Sequence, residues 1–159
     1  EIERFYNAEE EILNVSNNFM DYPMFRVKAE KLKNLLAKQA LKIRKRIMER
    51  TYEWCTKSVE FINTTYKEME VKILSSPPDE KALVDIKEFI DISKKKTKGE
   101  LEALWLAVYK HTCMLDDFSD MNENGFKFNE DFVCEMYELK SWPLRIDAAL
   151  GEGQTKMEE

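Results

Sequence analysis

Between Pro23 and Pro77 the chain has no Gly and no Pro, and apolar or small residues return at steps of three and four through the whole stretch. Leu32, Leu36, Ala40, Ile43, Ile47, Thr51, Trp54, Ser58, Ile62, Thr65, Met69 and Ile73 form one seam that holds helical phase for about eleven turns. This predicts a helix over about 26–74, far longer than the usual three or four turns and suited to coiled-coil-like packing. Upstream, Phe5, Ala8, Ile12, Val15 and Phe19 mark a shorter amphipathic helix over about 2–20, ending before Pro23. Pro77 and Pro78 remove two donors and stop the long helix. A third helix over about 79–119 carries Leu83, Ile86, Ile90, Thr97, Leu101, Leu104, Val108, His111, Leu115 and Phe118. Gly99 is its weakest point and the place where a local break is expected.

After Asp120 the pattern loosens into a polar loop. Short helices follow over about 129–140, with Asn129 as cap, and about 142–149, with Pro143 near the first position. Residues 151–159 read as a disordered tail. The expectation is all-α: a single helical bundle over 1–150, built on a long antiparallel helical hairpin with shorter flanking helices.

Composition narrows the class. With 4 Gly and 4 Pro in 159 residues, a turn-rich β fold lacks its turn chemistry. No apolar run approaches the length of a membrane span. The start at Glu1, without an initiator Met or a signal peptide, reads as an excised piece of a longer chain. Cys55, Cys113 and Cys134 are an odd, widely spaced set, expected as reduced thiols, and a single His gives no zinc site.

Charge is uneven. From Arg26 to Arg50 ten Lys and Arg stand against Glu30 and Glu49, a net of +8 that leaves −14 for the remainder of a chain totalling −6. A cationic amphipathic helix suits calmodulin, acidic lipid or nucleic acid. The apolar residues Leu36, Ala40, Ile43 and Ile47 continue the long seam, so that side is expected to be buried. Lys31, Lys38, Lys42, Lys45 and Arg46 are then the candidate partner-binding residues, exposed toward an acidic protein neighbour.

Asp120-x-Asn122-x-Asn124-Gly125 matches the start of a calcium loop, with Asp131 at its twelfth position. Lys127 and Phe128 stand where such a loop needs an apolar anchor and a polar residue, which favours a plain connector. Trp54 is expected in the core, Trp105 and Trp142 on packed faces, and His111 as a hydrogen-bonded core residue. There is no G-x-x-x-x-G-K-[ST], so the chain is expected to bind no nucleotide or other cofactor and to catalyse nothing.

Several strings together resemble the tail region of dynein heavy chains, most closely the axonemal ones, just upstream of the linker. They are Met24-Phe25-Arg26-Val27 with Leu32-Lys33-x-Leu35, Ala82-Leu83-x-x-Ile86-Lys87-Glu88-Phe89-Ile90 after a Pro turn, Leu115-Asp116-Asp117-Phe118, and Ser141-Trp142-Pro143-Leu144-Arg145-Ile146. They recur in the family's order, as an extended lead-in, a long helix, a Pro turn, a second helix and a closing W-P helix, over about residues 24–150. The loop at 120–125 departs from the shorter, more acidic loops of that family. The resemblance implies a non-catalytic structural segment of a microtubule motor whose ATPase sites lie elsewhere. Its partners would be other heavy-chain segments, intermediate or light chains or neighbouring axonemal proteins, and not nucleic acid or membrane. Its place would be the cytoplasmic cytoskeleton, in a cilium or flagellum. The alternative is a regulatory helical module whose basic helix recruits calmodulin, a light chain or another acidic partner.

Overall fold

The computed structural model describes residues 1–15, 19–75, 80–119 and 126–158. The fold is all-α, with one small hairpin. Helix α1 spans Ile2–Asn14, strands β1 and β2 span Phe19–Tyr22 and Phe25–Lys28, and helix α2 spans Glu30–Leu74. Helix α3 (Glu80–Ile92) leads through a wide turn at Ser93–Thr97 into α4 (Lys98–Asp116), and α5 covers Glu130–Glu158. Among the described residues no helix is long and apolar enough to cross a membrane.

Instead of a single bundle, the chain divides into two compact units, Glu1–Tyr52 and Glu53–Glu159. In the second, three helical layers share a core. Lys72 lies 3.9 Å over the Phe89 ring, and the Cys55 thiol meets the Thr112 hydroxyl, so α3 and α4 run antiparallel to α2. Helix α5 runs parallel to α2, because Asn63 bonds to Trp142 and Arg145 pairs with Glu70 at 2.8 Å. Between them lie Cys55, Val59, Ile62, Tyr66, Met69 and Ile73 from α2, Ile86, Ile90, Leu101, Val108 and Leu115 from α3 and α4, and Phe132, Leu139, Trp142 and Ile146 from α5. This is the expected long antiparallel hairpin, with α5 as a third layer.

Four local readings change. Helix α1 ends at Asn14 rather than near residue 20, and Phe19 belongs to a strand paired with Lys28. Pro23 and Met24 make the turn between the strands, so the proline that ended a helix in the sequence reading turns a hairpin. Gly99 breaks nothing: it lies in the first turn of α4, where an added Cβ would meet no atom within 4 Å. The irregularity comes before it, at Ser93–Thr97, where Lys98 N–H bonds back to Ser93 O, a five-residue step.

Helix α5 is also continuous where two short helices and a disordered tail were expected, and it carries Pro143 in its interior. Proline removes a bond to the carbonyl four residues back and usually kinks a helix. Here Trp142, fully buried, and Arg145, paired with Glu70, fasten both sides of the defect to α2.

In the first unit the buried face of α2 is rotated from the seam read in the sequence. Ala37, Ala40, Arg44 and Met48 are buried, whereas Leu32, Leu36 and Ile43 are 58%, 48% and 40% exposed. Helix α1 fixes this choice: Glu9 Oε2 lies 3.1 Å from Arg44 Nη1, the Tyr6 ring is 5.2 Å from the same guanidinium, and Lys33 Nζ donates to Val15 O. A buried arginine paired with a carboxylate replaces the aliphatic contact that the periodicity suggested. Beyond Tyr52 the seam holds at Ser58, Ile62, Met69 and Ile73. Thr65 stays half-buried, its hydroxyl donating to Phe61 O.

Candidate functional site

The N-terminal half of α2 presents three faces in angular order. At about 100° per residue, Ala37, Ala40, Arg44 and Met48 occupy one arc, the side taken by α1. Next to it, Leu32, Ile43 and Leu36 fall within about 40° of arc, and Leu35 stands about 60° further round, between Arg46 and Lys42. All four are exposed, Leu35 at 59%. Beyond the first three come Arg46, Lys42, Lys31, Lys38 and Lys45. Four of these five candidates are exposed and Lys45 is half-buried. Lys38, Leu41, Lys42, Lys45, Arg46 and Glu49 line a shallow hollow of about 350 Å³. The cations stand together on one side of an open apolar stripe, and the expected burial of Leu36 and Ile43 does not occur.

The calcium candidate is described only at its C-terminal end. Asp120, Asn122 and Asn124 lie outside the described residues. Asp131 is exposed in the first turn of α5, where its backbone N–H reaches Asn129 Oδ1 at 3.4 Å. Asn129 therefore caps the helix, as its side-chain oxygen suits it to do. Phe128, where a loop ligand would be needed, stacks on Phe132 at 5.9 Å. Phe126 N–H donates to Phe118 O at 3.1 Å and ties the two ends of the connector together. Among the described residues no group of three or more His, Cys, Asp or Glu is placed to hold a metal.

Of the tryptophans, Trp54 takes a different place from that read in the sequence, and Trp142 lies on a packed face as expected. Trp54 is 40% exposed and tilts against His111, with ring centres 5.1 Å apart. His111 is exposed too, its Nδ1 2.7 Å from Ala107 O, so its hydrogen bond is local and it is not a core residue. Trp142 is the core tryptophan, stacked at 5.7 Å on Tyr66. Trp105 lines a second open feature, a groove of about 430 Å³ between α4 and α5, with Tyr109, Phe128, Phe132 and Tyr137 around it and Asp116 and Lys140 at its margins. In that groove a hydrogen bond with the Cys113 thiol pushes the Tyr109 phenol pKa up. The aromatic cluster at 126–132 was visible in the sequence, but α4 had to be placed beside it before a groove could be recognised.

Burial raises the Cys55 thiol above its ordinary value and also raises the Tyr66 phenol, with Glu102 and Asp147 adding to the latter. Neither group faces an open cleft, so both are core features and not reactive ones. No family model matches the chain, and no curated protein matches it.

Proposed function

We propose that this chain is a non-catalytic helical segment that braces and spaces parts of a larger assembly, as the resemblance to a dynein heavy-chain tail implies. The observation that carries this is α2, 45 residues long and about 68 Å from end to end at 1.5 Å per residue. Two further layers of helix, α3–α4 and α5, grip its C-terminal half, an arrangement that resists bending and transmits displacement without generating it. The extended backbone at Phe25–Lys28, directly ahead of the long helix, agrees with the extended lead-in that the resemblance expects. On this reading the segment joins the motor and linker to the part of the tail that anchors cargo or doublet. Its neighbours are heavy-chain segments, intermediate or light chains or axonemal proteins.

The test uses antibodies raised against the chain. A heavy-chain-sized polypeptide that pellets with microtubules and is released by ATP is the expected result, together with no ATP turnover by the chain alone. A polypeptide that ignores microtubules, or turnover that survives repurification, overturns the reading.

The exposure of Leu32, Leu35, Leu36 and Ile43 favours a second reading, a docking module that uses the basic half of α2. An apolar stripe bordered by cations is how a helix offers itself to an acidic partner. Reversing Lys31, Lys38 and Lys42 together should then weaken assembly into the native complex without unfolding the chain. Unchanged assembly at physiological salt overturns it.

A further inference from the structure

We infer that the exposed stripe of α2 receives one amphipathic helix of a partner protein, apolar along its centre and acidic along one edge only. The inference rests on the docking reading and specifies the occupant.

The order of faces around α2 carries the argument. Leu32 and Ile43 are eleven residues apart, about 17 Å or three turns, with Leu36 between them, a length over which a docked helix can place several anchors. Arg46 borders that stripe, Lys42 and Lys31 stand about 80° and 100° round from its edge, within reach of long side chains on a docked helix, and Lys38 and Lys45 lie behind them. All five lie on the same side. The opposite border is the Arg44 face, which α1 covers through Glu9 and Tyr6. A complementary helix therefore needs carboxylates on the edge that meets the lysines and none on the edge that meets α1, whose Glu3, Glu10 and Glu11 are exposed.

The same order disfavours the other occupants of a cationic amphipathic helix. A partner that encircles its target needs α2 free on all sides, and the buried Arg44 with its ion pair shows one side already taken. An anionic bilayer laid on the stripe would come close to α1, whose exposed charges are Glu1, Glu3, Glu10 and Glu11 against Arg4, while Lys38 and Lys45 would stand well away from the headgroups. A single helix avoids both costs.

The full chain is titrated with a synthetic helical peptide of three heptads, leucine at its core positions and glutamate along one edge, and with a control peptide carrying those glutamates along the other edge. Vesicles containing phosphatidylserine and a concentration series of the chain alone complete the comparison. The first peptide should bind, more weakly as salt is raised, and about tenfold more weakly to Lys31→Glu/Lys42→Glu or to Leu36→Asp. Circular dichroism checks that these variants stay folded, and Lys110→Glu, on α4, should bind as the parent does. Equal binding of both peptides, binding to vesicles with none to peptide, or self-association abolished by Leu36→Asp each overturns the inference. If neither peptide binds while the charge-reversed chain still fails to assemble into its native complex, the helix is wrong and the docking reading stands. If neither peptide binds and assembly is normal, both fall.

Discussion

Trp142 Nε1 donates a hydrogen bond to Asn63 Oδ1 at 2.9 Å, joining side chains 79 residues apart inside the second unit. The indole is fully buried, Tyr66 stacks on it, and the Arg145 guanidinium sits 4.0 Å from its ring. An aromatic residue of this size, buried with its one donor satisfied, fastens α2 to α5.

Trp142→Ala should therefore cost about 3–5 kcal/mol by loss of burial and creation of a cavity. Asn63→Leu, which keeps volume but orphans the indole donor, should cost about 1–3 kcal/mol. Trp54→Ala, at an exposed position, should cost far less than either. Urea unfolding followed by circular dichroism ranks the three, and a larger loss at Trp54 than at Trp142 would mean that the core is placed wrongly.

Gly153 and Gly99 should respond in opposite directions to alanine. A Cβ at Gly153 would lie 2.8 Å from Ile73 Cγ2 and 3.4 Å from Ile73 O, and Ile73 is itself buried. Gly153→Ala should destabilise by about 1–3 kcal/mol through overpacking. At Gly99 nothing obstructs the added carbon, and Gly99→Ala should stabilise by about 0.4–1 kcal/mol by restricting the unfolded chain. Thermal melts of the two variants give the signs directly.

How much of this was legible in the sequence depends on what carries each contact. The long helix, the antiparallel partner with Ile86, Ile90, Leu101, Val108 and Leu115 inward, and the Asn129 cap follow from periodicity and capping chemistry. The rotation of α2 in the first unit does not. Leu32, Leu36 and Ile43 make a more apolar stripe than Ala37, Ala40 and Arg44, so hydrophobicity alone points to the face that stays open. Contacts from the preceding helix and its end, the Glu9–Arg44 ion pair, the Tyr6 ring and the Lys33 bond to Val15 O, decide otherwise. Pro143 misled for a similar reason, since its local cost is overridden by tertiary anchors on either side. The five basic residues were legible as a group. The open stripe beside them was not.

The Glu9–Arg44 pair gives a further expectation. Neither Glu9 Oε2 nor Arg44 Nη1 has a hydrogen-bond partner outside this ion pair among the described residues, so Glu9→Ala should leave a buried guanidinium uncompensated and cost about 1–3 kcal/mol. Replacing both residues with leucine should recover much of that loss, because a well-packed apolar pair escapes the desolvation cost. Unfolding curves of the single and double variants test it, and equal losses would show that the pair stabilises the fold beyond what apolar packing at the same place supplies.

Alkaline pH should loosen the second unit. The fold holds Cys55 and Tyr66 in their neutral forms, with values raised above the ordinary 9.0 and 10.0 by burial first, so the native chain keeps protons that the unfolded chain releases. Their contribution is intact below those ordinary values and is lost as pH rises through them toward the raised ones. Melting temperature should fall above about pH 9, and the Cys55→Ala/Tyr66→Phe variant should show a flatter decline. A parent chain whose melting point is constant to pH 11 contradicts this.

The wide turn at Ser93–Thr97 gives the α3–α4 layer a tolerance that a regular helix lacks. From Ser93 to Leu101 the chain advances eight residues, about 80° past the angle at which a straight α-helix would return to the core, yet both side chains are buried. The five-residue step takes up that excess, acting as a splice that hides one surplus residue among Lys94, Lys95 and Lys96. Losing one of those lysines would let the turn relax to ordinary helix with both flanking faces still aligned. In this layer, chain length and core register are uncoupled at that one point, so a change of a single residue can be absorbed there without moving Val108 or Leu115 out of the core.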